Sequence, residues 1–346
     1  MEKIDFQCDY LEGCHPAILQ VLQGSNLEQT AGYGNDPYCV RAAMRIREAC
    51  ACEAAEVHFL VGGTQTNLLA ISALLRPYQG VLCAEEGHIA THETGAIEAT
   101  GHKVLTLPDT DGRITAAQVE AYCRVHWEST VQEHTVQPGM VYLSQPTECG
   151  TLYTRAELAA MHIVCQKYGL PLYVDGARLG YALATPENDV TLANLAELAN
   201  LFYIGGTKCG AMFGEALVIA NPAYQKDFRY MIKQRGALLA KGRLLGIQFD
   251  TLFAENRYVD ICRQAVAQAA ALREAFRGAG IPLFGQSPTN QVFPILTKAQ
   301  AQALSEKYVY SIWGAAADGR TIVRFCTSWA TRLEDIEALC RDIAAL

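Results

Sequence analysis

A single lysine stands in a glycine-rich loop between two apolar runs. Lys208 lies between Gly206 and Gly210, after the run 201–205 and before the run 216–220. A lysine amine at the mouth of a buried strand is desolvated, which lowers its pKa and makes it a nucleophile toward carbonyl groups. The alternative is a turn whose lysine points into water. The loop alone leaves both interpretations open.

A carboxylate ends another apolar run. Asp175 closes the run 172–175 and is followed by Gly176. A carboxylate in such a place costs free energy unless a cation pairs with it or donates a hydrogen bond to it. A protonated ring nitrogen would be a suitable partner.

A third feature is the turn Gly62-Gly63-Thr64, which follows an apolar run and opens a helical pattern. We expect Thr64 to be the N-cap, and the free N–H groups of such a turn bind anions, most often phosphate. The glycine spacing differs from the dinucleotide and P-loop fingerprints, which favours a monophosphate. A plain capped helix is the alternative. Together, the lysine, the aspartate and the turn are the groups that hold pyridoxal 5′-phosphate (PLP).

These residues need a parallel sheet to bring them together. Short apolar runs alternate with helical segments between residues 57 and 220, and we expect seven strands at 57–61, 81–84, 104–107, 140–144, 172–175, 201–205 and 216–220. Strands separated by helices indicate an α/β fold with a mostly parallel sheet, whose chemistry lies at the carboxyl ends of the strands. A long helix over about 252–277 leads to a small αβ unit with strands at 291–295 and 321–326. We therefore divide the chain into an N-terminal segment (1–30), a large domain (31–250) and a small domain (251–346).

The composition narrows the possible partners. A net charge of −8 without a sustained basic patch argues against nucleic acid. No apolar run approaches the ~18 residues of a membrane span, and Met1-Glu2-Lys3 is charged where a signal peptide would be apolar, so we expect a cytoplasmic protein without membrane contact.

Thirteen cysteines without a CxxC pair indicate reduced thiols. His88 and His92 have the spacing of a zinc pair but lack the HExxH glutamate, so we expect no metal site.

Four motifs resemble one enzyme family. They are Gly62-Gly63-Thr64-Gln65, Val174-Asp175-Gly176-Ala177-Arg178, Gly205-Gly206-Thr207-Lys208 and Val323-Arg324-Phe325-Cys326-Thr327-Ser328. Together they are similar to the threonine aldolase and β-eliminating lyase family of PLP enzymes, and most similar to its phenylserine aldolase-like branch. The resemblance runs from Asp9 to the C-terminal helix and implies the aspartate-aminotransferase-like fold (PLP fold type I).

The resemblance also implies roles for individual residues. Lys208 would hold PLP as a Schiff base, Asp175 would pair with its ring nitrogen and His88 would stack on its ring. The remaining cofactor-binding residues implied are Gly63, Thr64, Arg178, Thr207, Lys241 and Arg243. Lys241 and Arg243, like the substrate-binding Tyr33, correspond to parts that reach the active site of a neighbouring subunit, so we expect a homotetramer with shared active sites.

For the substrate, the resemblance implies an amino acid held by Arg324, Arg178 and Asp9. Arginine suits a carboxylate because its planar fork donates two parallel hydrogen bonds. Many threonine aldolases have a histidine where Glu148 stands, and Glu148 in a desolvated pocket would accept the proton of the β-hydroxyl group. The implied reaction is retro-aldol cleavage of threonine, allo-threonine or phenylserine to glycine and an aldehyde, with Lys208, His88 and Glu148 as catalytic residues.

Other functions remain open at this stage. β-Elimination and transamination use the same lysine and aspartate. A protein that binds PLP without catalysis is a second alternative, and a nicotinamide-binding enzyme is a third, although the Gly-x-Gly-x-x-Gly turn that it requires does not follow the first predicted strand. Glycine formation from β-hydroxy amino acids distinguishes the aldolase from each of them.

Overall fold

The structure is a computed structural model that describes residues 3–346. Met1 and Glu2, which begin the charged N-terminal stretch, lie outside the described residues. The strands are β1 (Ile4–Asp5), β2 (Glu56–Leu60), β3 (Gln79–Ala84), β4 (Lys103–Leu107), β5 (Gln137–Ser144), β6 (Leu172–Asp175), β7 (Leu201–Gly205), β8 (Glu215–Ile219), β9 (Gln291–Val292), β10 (Ile295–Leu296), β11 (Tyr308–Val309), β12 (Ser311–Ala315) and β13 (Thr321–Cys326). The helices are α1 (Pro16–Gly24), α2 (Pro37–Ala49), α3 (Gly63–Leu74), α4 (His88–Thr91), α5 (Ala116–Glu128), α6 (Arg155–Tyr168), α7 (Leu179–Ala184), α8 (Leu192–Leu198), α9 (Phe228–Gln234), α10 (Arg243–Leu252), α11 (Arg257–Gly278), α12 (Lys298–Ser305) and α13 (Leu333–Ala344).

The seven predicted strands of the large domain form one sheet. Their order is β2-β8-β7-β6-β5-β3-β4. Neighbouring strands from β7 to β4 run parallel, whereas β8 runs antiparallel to both β2 and β7. The mostly parallel sheet is therefore confirmed. Because β2 runs in the same direction as β3, β4, β5, β6 and β7, the carboxyl ends of these six strands meet at one edge.

Apolar side chains cover both faces of this sheet. Along β5, Val141 and Leu143 pack into one apolar cluster, and Met140 and Tyr142 pack into another. Successive side chains of a strand point to opposite faces, so a strand buried on both sides reads as a continuous apolar run. Every residue of β6 and β7 is buried. Polar chemistry is therefore confined to the ends of the strands.

The C-terminal part has its own sheet and its own apolar cluster. β13 pairs antiparallel with β9, β10 and β12, and Phe325 packs there with Phe276 of α11 and Leu339 of α13. The start of the chain packs on this part, since β1 pairs with β11 and Phe6 joins the same cluster. The proposed boundaries after residues 30 and 250 stay predictions.

Two predicted elements differ from the structure. The long helix expected from about residue 252 begins only at Arg257, because Glu255 and Asn256 adopt left-handed φ values of 54° and 59° that separate α10 from α11. The strand expected over 291–295 is divided into β9 and β10 around Pro294, which has no N–H to donate to a neighbouring strand. Within residues 3–346, the helices are too short or too polar to span a membrane.

Candidate active site

Asp175 ends β6 at the edge where the carboxyl ends of six strands lie. Its side chain is almost fully buried, at 3% exposure. Oδ2 accepts hydrogen bonds from the Tyr142 hydroxyl (2.5 Å) and Asn67 Nδ2 (3.1 Å), and Oδ1 accepts one from the Ala177 N–H (2.9 Å). Among residues 3–346, no lysine, arginine or histidine forms an ion pair with it. A buried carboxylate held only by neutral donors is suited to a positively charged partner.

Lys208 lies in the loop that connects β7 to β8. Its side chain is half-buried, and its ammonium group lies 5.9 Å from the centre of the Tyr10 ring. Burial lowers the pKa of Lys208, and the nearby charge of Arg178 lowers it further. Gly206 and Gly210 shape this loop, since a Cβ on Gly206 would lie 2.6 Å from the Gly214 carbonyl oxygen and Gly210 has a φ of +92°. A lowered pKa is the direction that the glycine-rich sequence predicts, and the role of Lys208 as a nucleophile stays a prediction.

The predicted anion-binding turn opens α3, but its N-cap differs from the expectation. Gly62 is the N-cap and makes no side-chain capping bond, so the prediction that Thr64 caps the helix is wrong. Thr64 is instead the second residue of the helix. The first helical hydrogen bond is donated by Thr66 N–H to the Gly62 carbonyl (3.0 Å). The N–H groups of Gly63 and Thr64 precede it and remain at the positive end of the helix, where they suit a phosphate.

His88 begins the short helix α4 beyond β3. Its Nδ1 lies 2.8 Å from Oε1 of Glu93, a buried carboxyl that also accepts a hydrogen bond from Asn67 Nδ2 (2.7 Å). Burial opposes the charged form of His88, but the bond to Glu93 and the charge of Asp175 raise its pKa overall. Since Asn67 donates to Asp175 as well, His88 and Asp175 belong to one hydrogen-bonded network.

Glu148 lies in the loop after β5 and joins the same network through the His88 N–H. Its Oε1 accepts hydrogen bonds from Ser144 Oγ (2.9 Å) and the His88 N–H (3.2 Å). Its Oε2 is buried and has no hydrogen-bond partner among the described residues. Burial raises the pKa of Glu148 to about 6, and the charge of Asp175 acts in the same direction. A carboxylate with one free oxygen and a raised pKa is equipped to accept a proton.

The predicted substrate residues Asp9 and Arg178 bind each other. Arg178 Nε donates to Asp9 Oδ2 (2.7 Å) and a terminal nitrogen donates to Oδ1 (2.9 Å), while Asn290 Nδ2 also donates to Oδ2 (2.9 Å). Burial alone would raise the pKa of Asp9, but the charges of Arg178 and Lys208 lower it overall. Both oxygens of Asp9 are therefore engaged, and this carboxylate fixes the orientation of Arg178.

Arg324 reaches the site from β13. Its guanidinium donates to Gln291 Oε1 (3.3 Å) and the Gln7 carbonyl (3.3 Å), and it lies 5.3 Å from the centre of the Trp313 ring. Its Nε is buried and has no partner within residues 3–346. Gln291 Nε2 donates to the Glu148 carbonyl (3.4 Å), so one side chain contacts both Arg324 and the Glu148 loop. Because these hydrogen bonds are long and Nε has no partner, the guanidinium group of Arg324 still has N–H groups that could bind a carboxylate.

Tyr33, Lys241 and Arg243 make their hydrogen bonds outside the network around Asp175, as far as the described residues show. The Tyr33 N–H donates to the carbonyl of Ala240 (3.1 Å), next to Lys241. The Arg243 guanidinium donates to the carbonyls of Glu28 (2.6 Å) and Asn26 (3.1 Å). None of the three is hydrogen-bonded to Lys208 or Asp175 among the described residues. Their predicted role at a neighbouring subunit's site stays a prediction.

Several residues of the site carry no role in the sequence interpretation. Asn67, Glu93, Tyr142 and Ser144 complete the network around Asp175, His88 and Glu148. Asn67 lies one helical turn after the anion-binding turn, and Tyr142 lies two residues before the end of β5. Their positions near the ends of these elements could have indicated that both lie close to the site. Glu93 has no comparable signal. Within residues 3–346, no group of three histidines, cysteines or acidic residues has the geometry of a metal site.

Several known proteins are similar to this chain in sequence and fold. The model of the β-eliminating lyase family matches residues 5–336. A low specificity L-threonine aldolase of Pseudomonas aeruginosa is 30% identical over 345 residues, which cover 98% of this chain and 96% of that protein. A solved structure of Leishmania major threonine aldolase is 46% identical, with a TM-score of 0.94 and coverage of 99% of this chain and 100% of that chain.

A more distant structure supports the fold alone. A variant of Thermus thermophilus aspartate aminotransferase is 13% identical, with a TM-score of 0.73 and coverage of 99% of this chain and 91% of that chain. The predicted aspartate-aminotransferase-like fold and the predicted family resemblance are both confirmed. The chain belongs to the β-eliminating lyase family.

Proposed function

We propose that this chain is a PLP-dependent aldolase. It cleaves the Cα–Cβ bond of L-threonine, L-allo-threonine or related β-hydroxy-α-amino acids such as phenylserine, and releases glycine and an aldehyde. The observation that carries the proposal is Glu148, a buried carboxyl with a free Oε2 in the network that includes His88 and Asp175. The names of the Pseudomonas and Leishmania relatives support the same reaction.

The residues present fit PLP as the cofactor. Asp175 is a buried carboxylate without an ion-pair partner in the described chain, and Lys208 is an amine with a lowered pKa. The N–H groups of Gly63 and Thr64 suit the phosphate, and His88 is fixed by Glu93 for contact with the ring. When bound, PLP withdraws electrons from the α-carbon of the amino acid substrate.

The chain's own groups then position the substrate and move its proton. Arg324, with its long hydrogen bonds, holds the substrate carboxylate, and Asp9 keeps Arg178 oriented beside it. Glu148 Oε2 accepts the proton of the β-hydroxyl group, which allows the aldehyde to leave. Ser144 and the His88 N–H hold Oε1, which leaves Oε2 as the oxygen without a hydrogen-bond partner among the described residues.

A product assay tests this function. We expect the purified protein to release glycine and the matching aldehyde from at least one of threonine, allo-threonine and phenylserine. The Lys208→Ala variant should lose this activity and the visible absorbance that borohydride bleaches in the parent protein. Ammonia and a keto acid as the products of another amino acid, without glycine from any of the three, would establish β-elimination instead. An amino acid converted only together with a keto acid acceptor would establish transamination.

The proposal includes a homotetramer in which neighbouring subunits complete each other's sites. Leu27, Val40 and Met44 expose large apolar side chains (91%, 53% and 57%) on the part of the chain that also carries Tyr33. Apolar surface of this kind is typical of subunit contacts. Mixing inactive Lys208→Ala with inactive Arg243→Ala protein should restore part of the activity if Arg243 acts on a neighbouring site, and none if it acts on its own.

A cytoplasmic location belongs to the same proposal. All thirteen cysteines are free thiols, and ten of them are buried. Reduced thiols in this number are typical of a reducing compartment. Fractionation of cells that produce the protein at its natural level would test the location.

A further inference from the structure

Glu215 is a buried carboxyl to which the proposed reaction assigns no role. It begins β8, and its backbone pairs with Leu60 of β2 and Gly205 of β7. It therefore lies between the strand that leads to the anion-binding turn and the strand that leads to Lys208. Its side chain is only 4% exposed.

The Glu215 carboxyl group is bound to the residues immediately before Lys208. Oε2 accepts a hydrogen bond from the Gly206 N–H (2.9 Å), and Oε1 accepts one from Thr207 Oγ1 (3.0 Å). Thr207 Oγ1 itself accepts a hydrogen bond from the Gly214 N–H (2.9 Å). This arrangement uses the single hydroxyl hydrogen of Thr207, which has one hydrogen to donate and two lone pairs to accept with. With an ionised Glu215, Thr207 has no hydrogen left for another acceptor.

Protonation of Glu215 changes what Thr207 can do. A neutral carboxyl donates its own hydrogen from Oε1 to Thr207 Oγ1, while Oε2 still accepts from the Gly206 N–H. The two lone pairs of Thr207 are then occupied by Glu215 and Gly214, and its hydroxyl hydrogen becomes free. Thr207 is half-buried, so part of the residue remains exposed.

We propose that Glu215 couples binding of the cofactor's phosphate to the uptake of one proton, because only neutral Glu215 releases the Thr207 hydroxyl to donate to the anion. This inference rests on the proposed use of PLP. Glu215 is a positioning residue in this account, since it acts on the phosphate through Thr207. Ionised Glu215 also adds a negative charge beneath the site, which disfavours a second anion there.

The charges around Glu215 agree with a carboxyl that titrates near neutral pH. Burial raises its pKa to about 8, although the charge of Lys208 and the hydrogen bonds from Thr207 and Gly206 act in the opposite direction. Asp175 is a further negative charge that raises the pKa. The other titratable groups that sense Glu215 are the buried phenols of Tyr173, Tyr203 and Tyr258, whose pKa values are raised well above the ordinary value by burial.

The experiment measures the affinity of the apoprotein for pyridoxine 5′-phosphate, which has an alcohol in place of the aldehyde and so forms no covalent bond with Lys208. For the parent protein we expect affinity to fall about tenfold between about pH 7 and about pH 9, since one proton is taken up on binding. The Glu215→Gln variant is the matched control. Its amide donates to Thr207 and accepts from Gly206 as the neutral acid does, so its affinity should keep only the pH dependence that comes from the ligand and from groups other than Glu215, such as Lys208.

A second measurement requires no variant. Calorimetric titrations of the parent protein in two buffers of different ionisation enthalpy should show about one proton taken up per ligand near pH 9 and much less near pH 7. Equal pH dependence in the parent and Glu215→Gln proteins, or binding without proton uptake at high pH, would overturn the coupling and leave the cofactor assignment intact. If the parent protein binds the ester at none of these pH values, the cofactor assignment fails, and the coupling fails with it.

Discussion

Asp175 and Glu148 are buried carboxyl groups in one hydrogen-bonded network, yet their surroundings differ. Asp175 has three donors that hold both oxygens, whereas Glu148 has two donors on Oε1 and none on Oε2 among the described residues. A fully bound carboxylate is fixed and suits a permanent charged partner. A carboxyl group with one free oxygen and a raised pKa is suited to bind and release a proton during the reaction. The difference separates the part of the site that anchors the cofactor from the part that acts on the substrate.

The largest effect is expected at the anchor. The Asp175→Asn variant keeps the size of the side chain but removes the negative charge beside the expected ring nitrogen. We expect kcat for glycine release to fall about 10⁴-fold. A loss of this size follows when the buried aspartate beside the histidine ring N–H of a Ser-His-Asp triad becomes asparagine. Steady-state kinetics with saturating cofactor would measure this loss. A decrease of less than tenfold would remove Asp175 from the anchoring role.

The next effect is expected at the base. The Glu148→Gln variant retains an oxygen that can accept from Ser144 but no longer takes up a proton, so kcat should fall about 10³-fold, within the range for general base catalysis. Cofactor affinity should stay close to that of the parent protein. A large loss of cofactor affinity in Glu148→Gln would contradict the assignment of Glu148 to the part of the site that acts on the substrate.

The pH dependence sharpens the comparison further. Glu148 has a pKa raised to about 6 and must be ionised to accept a proton, so kcat/KM should rise through about pH 6 and level off above it. The Ser144 hydroxyl stabilises the ionised form of Glu148, so Ser144→Ala should raise this midpoint by about one pH unit. A midpoint that stays in place in Ser144→Ala would show that another group controls the rate.

The smallest effect is expected from one donor of the fixed carboxylate. Tyr142→Phe removes the 2.5 Å hydrogen bond to Asp175 but leaves those from Asn67 and Ala177. The free energy of unfolding should fall by about 1 kcal/mol, and kcat by severalfold. Tyr173→Phe is the matched control, because the Tyr173 hydroxyl donates to Asn67 (2.7 Å) and does not contact Asp175. Equal changes in kcat for both variants would contradict the specific role of Tyr142.

The residues that could be predicted from the sequence are those at or just after the ends of predicted strands. Asp175 ends an apolar strand, and Gly63 and Lys208 each lie three residues beyond one, so the common direction of these strands brings all three to one edge of the sheet. The capping of α3 was predicted wrongly, because Thr64 is a common N-cap residue and only the backbone shows that Gly62 occupies that position.

Residues that act through long-range contacts were not predictable in this way. Glu93 and Glu215 look like ordinary acidic residues in the chain, and their burial against His88 and Thr207 depends on contacts between separate elements. Likewise, Arg178 and Asn290 donate to both oxygens of Asp9, and the sequence holds no sign of these contacts. The predicted contact of Asp9 with substrate stays a prediction.

The most direct test of the division between anchor and base uses a reaction that lacks the β-hydroxyl group. In deuterated water, the PLP-loaded protein should exchange an α-hydrogen of glycine, a step that depends on Asp175 and Lys208 but does not involve Glu148 Oε2. We predict that Glu148→Gln exchanges glycine at a rate within about tenfold of the parent protein while its cleavage of β-hydroxy amino acids falls about 10³-fold. Equal losses of exchange and cleavage in Glu148→Gln would contradict the account.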